Sequence, residues 1–381
     1  MKTADIPLIE LSGAPRERGR IYGETAKALI ARVVDAWREN LGSYNPDNTN
    51  VNNDNPDNYL DAFFSHTNYL HSIQQWAPAL LDEMRGIAEG SGQDINTIIG
   101  LQLIDEEWVF GLRHGLAKPT HKCTAFGVPN QKNGIGFAGQ NMDISSWVEG
   151  KQVLLRVMPT ETSPEALVFS IAGSIGLNGM NANGLGVTCN ALPVLAYSID
   201  GLPVLFIIRS ILEKQTIDQA EQFLRTIKHA SGQNYIVSSS SEMRCFECSG
   251  NRVVRLAPAE WQGRVFHTNH ALINPDKSEF ASRLIGKTKN SEARLASIAD
   301  RLGDTSRTVT LDDTKAALAA HDDPDNPVSR RIIPENAGDS IGYTAGSSIY
   351  ELSDVPQLHL AAGPPCETTF EVFKFTPPPQ S

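Results

Sequence analysis

Residues 121–127 read HKCTAFG. Cys123 follows Lys122, precedes Thr124 and opens a short apolar run, and the texture of the chain changes there. Upstream, RERGRIYGETAKALIARVVDAWRENL (16–41) is rich in helix formers, with Ile21, Ala26, Ile30, Val33, Val34 and Trp37 near helical spacing. Downstream come CTAFGV (123–128), GIGFAGQNMD (134–143), QVLLRVMP (152–159), ALVFSIAG (166–173) and IGLNGMNANGLGVTCNAL (175–192). These segments are short and β-rich, and Gly, Pro and Asn turns separate them. A cysteine at the head of a strand has two readings. It is a small core hydrophobe, or it is a nucleophile.

The rest of the chain extends the pattern outward. Residues 59–92 and 94–110 read as further helices, with Asp94 and Thr97 offering capping chemistry. The Asn/Asp-rich stretch 45–58 has too few apolar groups to pack and reads as a polar loop. After the strand block a helix pair is predicted over 203–214 and 216–230, then strands over 234–258, a second helix pair near 291–302 and 311–320, and strands in the tail. Helices and strands are segregated and not alternated, so the expected class is α+β, and a doubly wound parallel sheet is disfavoured.

Composition narrows the partners. The chain has 381 residues, 40% of them hydrophobic and 20% charged, which is the profile of a globular protein. Its net charge is −11, and no basic run stands out, so nucleic acid is not the expected partner. No stretch approaches the roughly 20 apolar residues of a spanning helix, and the N-terminus lacks a signal-peptide core, so the expectation is cytoplasmic residence without a membrane partner. Five cysteines, few and odd in number, argue against a disulfide framework.

Four polar positions after Cys123 suit catalysis. Asp143 ends the strand that returns from the PNQKNG turn, so a hairpin would bring it back beside Cys123, where a carboxylate could hold a protonated amine. Its structural alternative is a turn cap. Asn190 ends a strand and could donate to a developing oxyanion, although most strand-end asparagines are turn residues. VFHTNHAL (265–272) carries His267, Asn269 and His270. The H-x-x-H invites a metal reading, but the closely spaced further ligands of a zinc site are missing, and no metal or cofactor is expected. Arg330 follows a Pro/Asp-rich turn and could orient a substrate or a thiolate, or could form a surface ion pair. The rival nucleophile is Ser340 in GDSIG (338–342), a G-x-S-x-G match whose elbow requires a following helix that GYTAGSS does not predict. A third reading is a non-catalytic binding protein with a core cysteine.

Taken in order, GAPRERGRIYGE (13–24), CTAFG, GQNMD, NANGLGVTCNAL, HTNH and PVSRR resemble the isopenicillin-N acyltransferase-like cysteine amidohydrolases. These are a branch of the N-terminal nucleophile (Ntn) hydrolases, to which choloylglycine hydrolase and penicillin V acylase are more remotely related. The resemblance covers most of the chain. It implies a four-layer αββα sandwich, with residues 1–122 as a helical N-terminal segment (a propeptide or α subunit) and 123–381 as the catalytic core. It implies Cys123 as nucleophile, Asp143 as the carboxylate beside its amine, Asn190 and Asn269 as oxyanion and substrate-positioning residues, and Arg330 as the arginine near the thiol. It also implies autocatalytic scission between Lys122 and Cys123, with Lys122 standing where the family often has glycine.

That scheme has a physical logic. A free α-amino group has a reference pKa near about 7.7–8 and can serve as base for its own thiol. No Cys–His pairing is then needed. The expected reaction is cleavage of a small N-acyl compound through an acyl-enzyme, or acyl transfer to an amine or CoA acceptor. The expected assembly is a heterodimer of the chain's own two fragments, with higher homo-oligomers open.

Overall fold

The computed structural model describes residues 5–42, 55–117, 122–332 and 342–377. In chain order the elements are β1 (Leu8–Leu11), α1 (Pro15–Thr25), α2 (Lys27–Gly42), α3 (Pro56–His66), α4 (Tyr69–Trp76), α5 (Pro78–Ser91), α6 (Ile95–Leu101) and α7 (Ile104–His114). They continue with β2 (Lys122–Val128), β3 (Gly136–Ser145), β4 (Gln152–Val157), β5 (Ala166–Ile171), β6 (Asn178–Asn181), β7 (Gly186–Ala191), α8 (Val204–Leu212) and α9 (Ile217–Thr226). Then come β8 (Gln233–Ser238), β9 (Met243–Cys248), β10 (Val253–Leu256), β11 (Val265–His267), α10 (Lys289–Leu302), α11 (Leu311–Leu318), β12 (Gly342–Leu352), β13 (Gln357–Ala361) and β14 (Glu371–Lys374).

The strands form two sheets, one ordered β1-β4-β5-β6-β7-β8-β9-β10 and the other β11-β2-β3-β12-β13-β14. Period-two alternation sorts the second sheet's side chains. Phe126, Val128 and Phe137 face outward and bury against Ile298, Leu302 and Leu318 of α10 and α11. Ala125, Ala138, Met142 and Cys123 face inward and join the central core. Polar contacts also tie the inner faces together: Ser348 Oγ donates to Asn178 Oδ1 at 2.9 Å, and Tyr350 OH to the Val187 carbonyl at 3.0 Å. Gly346 is required there, since a Cβ would meet Phe169 Cζ at 2.2 Å. Helices α8 and α9 pack on β6, β7 and β8. The layers are therefore α, β, β, α, the order that the family resemblance implies, within the α+β class that the element pattern predicts.

The N-terminal segment differs from its sequence reading in three places. Residues 8–11 form a strand, parallel to β4 in the larger sheet. The helical run 59–92 is three helices. Asn68 N–H leaves the helical ladder to donate to the Ile199 carbonyl at 2.6 Å, and Pro78 opens α5. The run 94–110 breaks at Gln102, whose Nε2 donates to the Gly173 carbonyl at 2.9 Å.

The segment is also anchored to the core. Gly19 and Gly86 let α1 and α5 approach until each backbone touches the other's carbonyls; a Cβ at Gly19 would lie 1.9 Å from Glu83 O. Beside that contact Glu83 is fully buried and binds Arg18 Nη2 at 2.9 Å and Arg209 Nη1 of α8 at 3.0 Å. Burial raises its pKa, but the two guanidinium groups outweigh this and hold it below the usual carboxylate value. Among the described residues no helix is long and apolar enough to cross a membrane.

Candidate active site

The site is built where β2 begins. Cys123 is 4% exposed, and its side chain points between the two sheets. Its Sγ lies 3.6 Å from Met142 Sδ, the residue directly opposite on β3. Among the described residues no histidine or carboxylate hydrogen-bonds the thiol. Burial pushes the thiol pKa up to about 12 and the Asp143 charge adds to that, against a backbone hydrogen bond from Asp143 and the positive charge of Arg294. Burial therefore favours the protonated thiol over the thiolate.

The backbone of Cys123 is held on the opposite side. Its N–H donates to Asn269 Oδ1 at 2.6 Å. Its carbonyl accepts from Arg294 Nη1 at 2.5 Å, and the same nitrogen reaches Thr124 Oγ1 at 2.9 Å. Arg294 Nη2 donates to Asn269 Oδ1 at 3.0 Å, and its Nε to Asn290 Oδ1 at 2.9 Å. Arg294 is fully buried, and burial lowers its pKa to about 10 with help from Arg330, while Asp143 and Cys123 oppose the drop. One guanidinium thus grips the Cys123 carbonyl and the asparagine that accepts from the Cys123 nitrogen.

Asp143 lies at the end of the hairpin, as its spacing predicts, but the register is offset by one. Lys122 pairs with Asp143, and Cys123 with Met142. Alternation therefore puts the Asp143 carboxylate on the α10 face with Arg294, while the thiol lies on the other face. Asp143 Oδ1 accepts from Thr344 Oγ1 at 2.7 Å. Thr344 in turn links to Arg330. Its Oγ1 accepts from Arg330 N–H at 2.9 Å, and its own N–H donates to the Arg330 carbonyl at 3.0 Å. The buried Nη1 of Arg330 has no hydrogen-bond partner among the described residues.

Asn190 is fully buried in β7, and its side-chain hydrogen bonds go to residues other than Cys123. Its Nδ2 donates to the His267 carbonyl at 3.5 Å, and its Oδ1 accepts from Asn234 Nδ2 at 2.9 Å. It adjoins Asn269, whose Nδ2 donates to the Ala191 carbonyl at 3.0 Å. Where β6 stops pairing with β7, Gln140 of β3 substitutes for a strand. Its Oε1 accepts from Cys189 N–H at 3.2 Å, and its Nε2 donates to the Cys189 carbonyl.

The two histidines of H-x-x-H have protein partners. His267 faces Glu247 Oε1 at 2.9 Å and the Thr268 carbonyl at 2.8 Å, and His270 Nδ1 faces Ser291 Oγ at 2.8 Å. Cys245 and Cys248 are free and lie on opposite faces of β9. Ser340 lies outside the described residues, as does most of the 45–58 loop. The residues from Gly342 onward form an 11-residue strand, not the helix a nucleophile elbow needs.

Sequence reasoning missed Arg294 and Glu247. Arg294 left a signal. The buried stripe of α10 is Ser291, Arg294, Ile298 and Leu302, and a charge inside an apolar helical stripe demands a buried partner.

An αββα sandwich thus holds a buried cysteine near the start of β2, an inner strand of its smaller sheet. Residues 129–356 match the family model described as acyl-coenzyme A:6-aminopenicillanic acid acyl-transferase, and the chain belongs to that family. It is 25% identical over 267 residues to the acyl-coenzyme A:6-aminopenicillanic-acid-acyltransferase 40 kDa form of Emericella nidulans, covering 70% of each. Among solved structures it resembles variant R18L of conjugated bile acid hydrolase from Clostridium perfringens, with TM-score 0.45, 13% identity, and 67% of this chain and 97% of that chain covered. It also resembles penicillin V acylase from Agrobacterium tumefaciens, with TM-score 0.41, 15% identity, and coverage of 66% and 84%.

Proposed function

We propose that this chain is an autoprocessing cysteine Ntn amidohydrolase, which cleaves the amide of a small N-acyl compound through an acyl-enzyme on Cys123. The observation that carries the reading is the asymmetry at Cys123. Among the described residues no histidine or carboxylate hydrogen-bonds the sulfur, whereas its backbone nitrogen is aimed at the Asn269 carbonyl oxygen, 2.6 Å away. Scission of the Lys122–Cys123 bond turns that nitrogen into an amine, which takes the thiol proton as the sulfur attacks.

In the uncut chain the thiol attacks the Lys122 carbonyl, forming a thioester and freeing the Cys123 amine; water then releases the upstream fragment. In turnover the thiolate attacks the substrate carbonyl, the amine leaves with a proton, and water hydrolyses the thioester. In this reading Arg294 and Asn269 fix the amine, Asp143 supplies negative charge for its protonated form, and Arg330 offers a donor to substrate. Asn190 would reach an oxyanion after exchanging its contact with the His267 carbonyl.

The test is Cys123→Ala, with cleavage and turnover of an N-phenylacetyl 4-nitroanilide measured together. Both should vanish. Turnover in the variant would refute the nucleophile. Acyl transfer uses the same thioester with a different acceptor. The name of the Emericella relative makes 6-aminopenicillanic acid the acceptor to try first.

A further inference from the structure

We infer that Glu247 is a positioning residue for Asn269, acting from the opposite sheet. This rests on the reading of Cys123 and Asn269 as active-site residues. Asn269 lies in an irregular loop just past β11, with no strand ladder to fix it. The Glu247 carboxylate, fully buried on β9, binds that loop on both flanks of Asn269. Oε1 accepts from His267 Nε2 at 2.9 Å, two residues before it, and from Leu272 N–H at 2.5 Å, three residues after it. Oε2 accepts from Ile273 N–H at 3.1 Å and Asn274 N–H at 2.6 Å. Asn274 Nδ2 returns a bond to the Glu247 backbone carbonyl at 3.0 Å.

Every lone-pair direction of the carboxylate is therefore occupied by the loop or by the histidine that starts it. Burial raises the Glu247 pKa, but His267 and the backbone N–H groups of Leu272 and Asn274 outweigh it and bring it to about 2. From the other side Ser291 of α10 accepts Asn269 N–H at 2.7 Å. Asn269 is clamped between a charged staple from one sheet and a helix hydroxyl. A shift of about 1 Å in a group that orients a reacting atom costs on the order of a hundredfold in rate.

Glu247→Gln keeps one oxygen for the amides and loses the other, and Glu247→Leu loses both. Each variant is compared with the parent by hydrogen exchange of residues 272–274 and by turnover of the N-phenylacetyl 4-nitroanilide. Rates are expressed per Cys123 titrated with iodoacetamide, so that misfolded material does not count. The expected result is faster exchange in the loop, with kcat lowered about tenfold in Gln and about a hundredfold in Leu while KM changes less than threefold. A kcat per titrated thiol within twofold of the parent, or unchanged exchange at 272–274, overturns the proposal. If the Leu variant does not fold, the Gln variant alone decides. Cys123→Ala, assayed beside them, tests the underlying reading separately.

Discussion

Arg294 Nη1 donates to the Cys123 carbonyl across 2.5 Å, so a guanidinium on the last helix pair holds the residue proposed as nucleophile by the peptide on its C-terminal side. The same side chain also binds Thr124, Asn269 and Asn290. Lysine cannot reproduce that planar fork. Arg294→Lys is expected to lower turnover about tenfold or more. Arg294→Met leaves several buried acceptors unpaired, at about 1–3 kcal/mol each, and should lower the unfolding midpoint more than lysine does. Steady-state kinetics and urea titration of both variants check this.

Asn269→Ala removes the partner of the Cys123 nitrogen. The expected loss is about a hundredfold in kcat, without loss of fold, because Arg294 still holds the Cys123 carbonyl. Unchanged kcat in a folded variant contradicts the assigned role.

The two fragments are expected to stay together after cleavage. The upstream part contributes β1 to the larger sheet and shares the buried Arg18–Glu83–Arg209 cluster with α8. Co-elution in native gel filtration, with separation only in denaturant, is the predicted outcome. Removing one partner of a buried ion cluster costs about 3–5 kcal/mol, so Glu83→Gln should loosen the assembly at lower urea.

His229 predicts an acid dependence of stability. It is buried, its Nε2 faces the Leu224 carbonyl at 2.9 Å, and burial lowers its pKa to about 4. Below about pH 6.5 the unfolded chain binds a proton that the folded chain refuses. Stability from this group is present above that pH and falls as pH drops toward 4, by about 3 kcal/mol in all. Urea unfolding at pH 7 and pH 4.5 should show a smaller difference in His229→Asn than in the parent.

The α+β class was legible because strand runs of period two and helical runs of period 3.6 are segregated along the chain, whereas the four-layer order came from the family resemblance. Residues 203–230 and 291–320 fold into the helix pairs their spacing predicts. The breaks at Asn68 and Gln102 were not legible, since each follows from a hydrogen bond to a distant carbonyl. At the site, the hairpin spacing placed Asp143 near Cys123, but the one-residue register that separates its carboxylate from the thiol depends on how β2 pairs with β3. Glu247 was hidden for a similar reason: its partners lie 20 to 27 positions away, in a loop with no periodicity.

Mass analysis and N-terminal sequencing of purified, active protein test the central claim most directly. The account predicts a fragment whose first residue is Cys123, with activity proportional to its abundance. Full activity in a chain whose Lys122–Cys123 bond is wholly intact would contradict it.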